Sequence, residues 1–348
     1  MKTILPSRVP PAFPRAARKA GDDYGVTDPP DWRTIDWAAH LDRIEIDGLS
    51  VNYVDIGEQG RHRPIVFVHG LSGQWQNWLE NIPRFSQEHR VVAMDLPGHG
   101  MTGMPRDQIS IELYGNFVAE LVRRLDLAPA VLVGNSMGGF VAAEVAIRAP
   151  EVVERLMLLS AAGVSQVDLA RRPVLAAGKA AGFLATANVA QKRWIARRPV
   201  LRHWIMSLIV RHPSRIKADA MFEGLMKGAD KPGFDDALRA CLVYDFRDRL
   251  PQIGAPTIVI WGEKDMIIPV RDADAFVSMI EGARKVVMED TGHVPMFERP
   301  PAFNELLAEF LEYEVEEGEL EGEPEEQLGV AAGGSNGAGR ARERDASV

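Results

Sequence analysis

The sequence predicts an α/β domain built on a doubly wound, mostly parallel sheet flanked by helices. Three observations lead there. Six short apolar runs recur along the body of the chain: Ile65–Val68, Val91–Met94, Ala130–Val133, Leu156–Leu159, Thr257–Trp261 and Lys285–Met288. Unbroken runs of this length suit strands buried on both faces. Segments of helical period, such as Ile111–Leu125 and Met137–Ala149, separate several of them, and strand–helix alternation implies a parallel sheet. Ahead of the runs, Arg43–Ile46 and Leu49–Val54 alternate with period two around Asp47-Gly48, a hairpin signal. The expected sheet therefore has eight strands.

Composition bounds the rest. The chain has 348 residues, 46% hydrophobic and 26% charged, so most of it can bury a core. No apolar run approaches the length of a membrane-spanning helix. The single cysteine, Cys241, excludes an intramolecular disulfide and a structural cysteine metal site. A net charge of −9 argues against a dedicated nucleic-acid binder. Residues 1–20 carry five basic residues and four prolines but no apolar core segment, a poor match to a secretory signal. Residues 1–30 are therefore expected as an extended, unpacked arm, and the location as cytoplasmic. From Glu312 to Glu326 there are nine glutamates and no lysine or arginine. A like-charge block repels itself, so 316–348 is expected as a disordered acidic and glycine-rich tail.

In doubly wound sheets ligands bind beyond the carboxyl ends of the strands, so the residues after each run carry the functional reading. After Val133 stands Gly134-Asn135-Ser136-Met137-Gly138-Gly139, directly before a helix. This is G-x-S-x-G in the strand–turn–helix setting of a nucleophile elbow, with glycines where the backbone must pass closely. After Val68 stands His69-Gly70-Leu71-Ser72-Gly73. A loop there can supply an oxyanion donor, here the Leu71 N–H, paired with the Met137 N–H at the helix start. His69 is read as structural. After Trp261 comes Gly262-Glu263-Lys264-Asp265, and after the last run Thr291-Gly292-His293. A serine hydroxyl needs a base within reach, and the imidazole needs an acid to fix its tautomer. Ser136, His293 and Asp265 are the expected nucleophile, base and orienting acid. Glu263 and Asp290 are the rival acids.

Taken together, His69-Gly70, Asp95–Gly100, Gly134–Gly139, Gly262 with Asp265, and Gly292-His293 resemble the α/β-hydrolase superfamily over about residues 42–312. The resemblance implies the α/β-hydrolase fold, a Ser136-Asp265-His293 triad and an inserted helical cap. With serine at the elbow it implies a serine esterase or lipase-like member that needs no metal or organic cofactor. The elbow is also similar to hydrolases that cleave carbon–carbon bonds in ring-fission products. Those enzymes usually carry a glycine-rich run after the first His-Gly and a tryptophan after the histidine, where this chain has Leu71-Ser72-Gly73 and Val294.

The expected domains are core residues 31–163, a cap at 164–250 and core residues 251–315. Between Arg171 and Lys217 the cap has eleven basic residues and no acidic one, with Trp194 and Trp204 among them. Such a segment can rest on an anionic membrane; the chain's overall acidity favours an ordinary lid with apolar faces turned to the pocket. Asn135, Trp75 and Val294 are the expected pocket residues. The resulting reading is cleavage of a small-molecule carboxylic ester of an apolar acyl group, lipid esters included, through an acyl-enzyme. Thioester, peracid or carbon–carbon chemistry on the same triad, and a low-turnover receptor, remain as alternatives. Oligomeric state is not readable from the sequence.

Overall fold

The computed structural model describes residues 21, 23–58, 62–165, 187–228 and 232–312. The acidic tail, residues 1–20 of the expected arm, and 166–186 and 229–231 of the expected cap lie outside the described residues. An eight-stranded sheet runs in the order β1-β2-β4-β3-β5-β6-β7-β8. Its strands are β1 Leu41–Ile46, β2 Leu49–Ile56, β3 Ile65–Val68, β4 Val91–Met94, β5 Ala130–Asn135, β6 Val153–Leu159, β7 Thr257–Gly262 and β8 Arg284–Met288. β2 pairs antiparallel with both β1 and β4, and all other neighbours are parallel.

The apolar runs are continuous because successive residues feed two cores. Val66 and Val68 of β3 enter one buried cluster, and Ile65 and Phe67 enter the other. Leu132 and Val133 of β5 divide in the same way, as do Val259 and Ile260 of β7. This is the period-two alternation of strand side chains with apolar packing on both sides. β8 departs from the expectation. It is an edge strand whose Arg284, Lys285 and Val287 are exposed, and Lys285 pairs with Asp274. A charged residue on an edge also discourages pairing with another chain.

Helices α1 Ile111–Arg124, capped by Ser110 Oγ on the Leu113 N–H, and α2 Met137–Arg148 flank β5. Between β6 and β7 the described residues form α3 Val189–Ala196, α4 Pro199–Met206, a π-helical turn at Met221–Met226 and α5 Phe234–Val243. Trp194 and Trp204 on α3 and α4 are exposed, with the Arg198 guanidinium stacked 3.9 Å over the Trp194 ring. α6 Arg271–Met279 follows β7, and α7 Pro300–Glu312 follows β8. No helix of the described residues is long and apolar enough to cross a membrane.

The N-terminal arm needs correction: its described part is packed. Within it Tyr24 is buried, and so is Trp32 just beyond it, at the start of the expected core. Trp32 Nε1–H donates to Glu80 Oε1 at 2.9 Å, Arg299 grips Asp23 at 2.7 Å, and Asn304 Nδ2 donates to Asp28 Oδ2 at 2.9 Å. The acidic and proline-rich composition that reads as unpacked is instead a set of carboxylates serving donors on Arg299 and α7. Burying two aromatic rings offsets the ordering cost.

The winding reverses at β3: the chain moves from β3 to β4 on one side, then returns to β5 on the other. The carboxyl ends of β3 and β5 therefore lie at the reversal, the switch point where such sheets bind ligands.

Candidate active site

Ser136 closes β5 at this switch point. Its φ of 57° and ψ of −119° lie where non-glycine residues are rarely found. The turn is held by its surroundings. The Ser136 N–H donates to Leu159 O at 2.9 Å, and its carbonyl accepts from the N–H groups of Phe140 at 3.1 Å and Ala162 at 3.0 Å. Gly138 crosses β3 so closely that a Cβ there would stand 2.1 Å from Val68 O, and one on Gly134 would stand 2.2 Å from Gly138 O. Only glycine permits that crossing.

The loop after β3 lies against this elbow, since a Cβ on Gly70 would be 3.2 Å from Ser136 Cβ. Fully buried His69 braces the loop. Its Nδ1–H donates to Gly70 O at 2.8 Å and its Nε2 accepts from the Leu96 N–H at 3.0 Å. The Leu96 N–H can only donate, so the ring is neutral with its proton on Nδ1. Burial pushes the His69 pKa down to about 4, in keeping with that tautomer. Neither the Leu71 N–H nor the Met137 N–H finds an acceptor among the described residues. Met137 opens α2, where N–H groups lack intrahelical partners and the helix dipole favours negative charge.

After β7, the Asp265 side chain is fully enclosed. Its Oδ1 accepts from Ile267 N–H at 2.8 Å and Ile268 N–H at 3.0 Å, which leaves Oδ2 to the His293 Nδ1 at 2.7 Å. The rival acids are occupied elsewhere. Glu263 pairs with Lys264 and accepts from the Asp290 N–H at 3.1 Å. Asp290 holds Arg211 at 3.1 Å and His212 at 2.7 Å. Neither makes a hydrogen bond to His293.

The residues expected at the pocket also make contacts within the scaffold. Asn135 Nδ2 donates to Leu159 O at 3.2 Å and to His293 O at 3.1 Å. It thereby ties the residue beside the nucleophile to the histidine loop, and its donor group is satisfied there. Trp75 is buried, with its ring centroid 5.1 Å from that of Trp37, and its backbone N–H donates to Asp95 Oδ1 at 2.8 Å. Val294 is buried in the second core cluster. Side-chain type alone marks these residues as apolar or amphipathic, and packing decides which surface receives them.

The segment between β6 and β7 reaches the same loops. Gln74 Nε2 donates to Glu223 O at 3.3 Å, and Asn77 Nδ2 donates to Gly224 O. The Gly233 N–H donates to Gly98 O at 3.0 Å, and the His293 N–H donates to Ile209 O at 2.8 Å. Inserted residues thus touch the loops after β3, β4 and β8. One group escaped the sequence reading: Glu298, fully buried, accepts from the N–H groups on either side of His293. The available signal was an acid following the apolar stretch Val294–Phe297.

The family model described as the alpha/beta hydrolase family matches residues 65–306. The dihydrolipoyllysine-residue acetyltransferase component of an acetoin cleaving system from Pseudomonas putida is 31% identical over 278 residues, covering 77% of this chain and 68% of that protein. A 2-hydroxy-6-oxononadienedioate/2-hydroxy-6-oxononatrienedioate hydrolase from Escherichia coli is 28% identical over 278 residues, covering 76% of this chain and 91% of that enzyme. Among solved structures, an enol-lactonase from Burkholderia xenovorans superposes with a TM-score of 0.63 at 25% identity, covering 78% of this chain and 99% of that one.

Proposed function

This chain belongs to the alpha/beta hydrolase family, and we propose that within it the chain is a serine hydrolase cleaving a carboxylic ester. The observation that carries this reading is the 2.7 Å contact between Asp265 Oδ2 and His293 Nδ1, beside an elbow that holds Ser136 at a strained φ. In this reading His293 takes the Ser136 hydroxyl proton as the oxygen attacks the ester carbonyl. The Met137 and Leu71 N–H groups stabilise the oxyanion. His293 then protonates the leaving alcohol, and afterwards activates the water that releases the acid from Ser136. Asp265 keeps the proton on Nδ1, so Nε2 is the basic nitrogen. The inserted helices act as a cap over the site, supported by their contacts with the loops after β3, β4 and β8.

The enol-lactonase likeness favours an ester bond, and the 2-hydroxy-6-oxononadienedioate/2-hydroxy-6-oxononatrienedioate hydrolase favours a second reading, carbon–carbon cleavage of an unsaturated ketone on the same residues. The test is release of p-nitrophenol from acetate, butyrate, octanoate and palmitate esters, with ring-fission dienones assayed beside them. Steady ester turnover that Ser136→Ala lowers by a thousandfold or more, in order of magnitude, is the expected result. Turnover of dienones alone would assign the second reading, and a burst without turnover would point to a receptor.

A further inference from the structure

We propose that Glu298 is a positioning residue for His293, and that Tyr24 of the N-terminal segment holds the Glu298 carboxylate in place. The proposal rests on the reading of His293 as the catalytic base.

Four donors converge on this carboxylate. Its Oε2 accepts from the Tyr24 hydroxyl, from the Arg211 N–H at 2.8 Å and from the Gly292 N–H at 3.0 Å. Its Oε1 accepts from the Val294 N–H at 3.2 Å. The amide between them, that of His293, donates to Ile209 O at 2.8 Å. Three consecutive N–H groups around the base are therefore fixed, two of them by one side chain. The His293 carbonyl accepts from Asn135. The ring is left to turn about its own side-chain bonds only, with Nδ1 on Asp265.

The arrangement costs more than packing requires. Glu298 is fully buried, and the guanidinium groups of Arg211 and of Arg299, the residue after Glu298, are engaged with Asp290 and Asp23. A carboxylate held by backbone dipoles and one phenol fits a role in aiming a loop. An apolar residue would fill the space but could not collect the Gly292 and Val294 amides.

Tyr24 makes the carboxylate a junction. Its hydroxyl donates to Glu298 and accepts from the His212 N–H at 2.8 Å, its ring meets the His212 ring edge-on at 5.0 Å, and the next N–H, Gly25, donates to Glu298 O at 2.7 Å. Burial, and then the adjacent carboxylate, push the phenol far above its usual pKa, so it remains a donor. One side chain from the N-terminal segment thus joins the inserted residues Arg211 and His212 to the histidine loop.

The experiment compares full-length Tyr24→Phe, Glu298→Gln and the double variant with wild type on the best ester. Ser136→Ala and His293→Ala serve as reference variants. In Glu298→Gln an amide NH2 replaces one acceptor oxygen, so a backbone N–H beside His293 loses its partner. The expected result is a kcat lowered about tenfold to a hundredfold with KM within about threefold. Labelling of Ser136 by a fluorophosphonate should slow in parallel. Tyr24→Phe should lower kcat less, by about threefold to tenfold, and add less than that in the Glu298→Gln background, because both act through one carboxylate. Variants that lose only thermal stability, with kcat and labelling rate unchanged in the folded protein, would overturn the proposal. So would additive effects, which would separate Tyr24 from Glu298. If Ser136→Ala and His293→Ala retain turnover, the site reading itself fails and the positioning role falls with it.

Discussion

Asp265 illustrates how much a single side chain's surroundings decide. The sequence offers three acids after β7 and β8, Asp265, Glu263 and Asp290, and each could orient an imidazole. Only Asp265 has one oxygen pinned by two backbone N–H groups so that the other is aimed at Nδ1. Asp265→Asn should lower kcat by about 10⁴ by favouring the wrong imidazole tautomer, whereas Glu263→Gln, at an exposed site, should leave esterase rates near wild type. His69 carries a stability prediction. Its folded-state pKa is about 4 against an unfolded value of 6.5, so the unfolded chain binds the extra proton between those values. The stabilisation is present above pH 6.5 and is lost as pH falls toward 4, by roughly 3 kcal/mol in total. Melting temperatures measured across that window should decline on acidification, and His69→Gln should flatten part of the slope. Burial also lowers the pKa of His89 and His212, so a residual slope is expected in the variant.

At the level of elements, the elbow depends on backbone approach. Gly138→Ala would force a Cβ against Val68 O at 2.1 Å, pushing α2 off β3. A loss of about 3 kcal/mol or more, or failure to accumulate folded protein, is expected. Gly254→Ala is the matched control, because nothing lies within 4 Å of the added Cβ, and its melting temperature should stay within a few degrees of wild type. Thermal unfolding by circular dichroism distinguishes the two. Their difference lies in which strand the helix crosses, although the G-x-S-x-G spacing before a helix already marks Gly138 as special.

Across the whole molecule, the N-terminal segment is structural. Tyr24 and Trp32 are buried, and Arg33 bridges to Asp219 of the insertion at 2.9 Å. A truncation through residue 37 should therefore unfold at lower temperature than one through residue 20. The difference should be about 3–5 kcal/mol, the usual cost of removing a buried large aromatic residue. Equal melting temperatures would show that the packed segment contributes nothing. The segment was unreadable as packed because its partners, Glu80, Glu298, Arg299 and Asn304, are far away in the chain. Local composition carries no information about them.

The sequence by itself determined the strand order of chemistry along the chain. Period-two alternation marks the hairpin, unbroken apolar runs mark strands with a core on each side, and residues at strand ends mark the site, because these signals are local. It also nominated Ser136 through its glycine spacing, and Asp265 and His293 through their positions after β7 and β8. Only the tertiary structure decided which acid faces the histidine, that Asn135, Trp75 and Val294 brace the scaffold, and that β8 is an exposed edge. It alone brought Tyr24 and Glu298 together across 274 positions of sequence. The reason is physical: a backbone amide or a buried carboxylate looks the same in any sequence, and its partner is chosen only when distant elements pack.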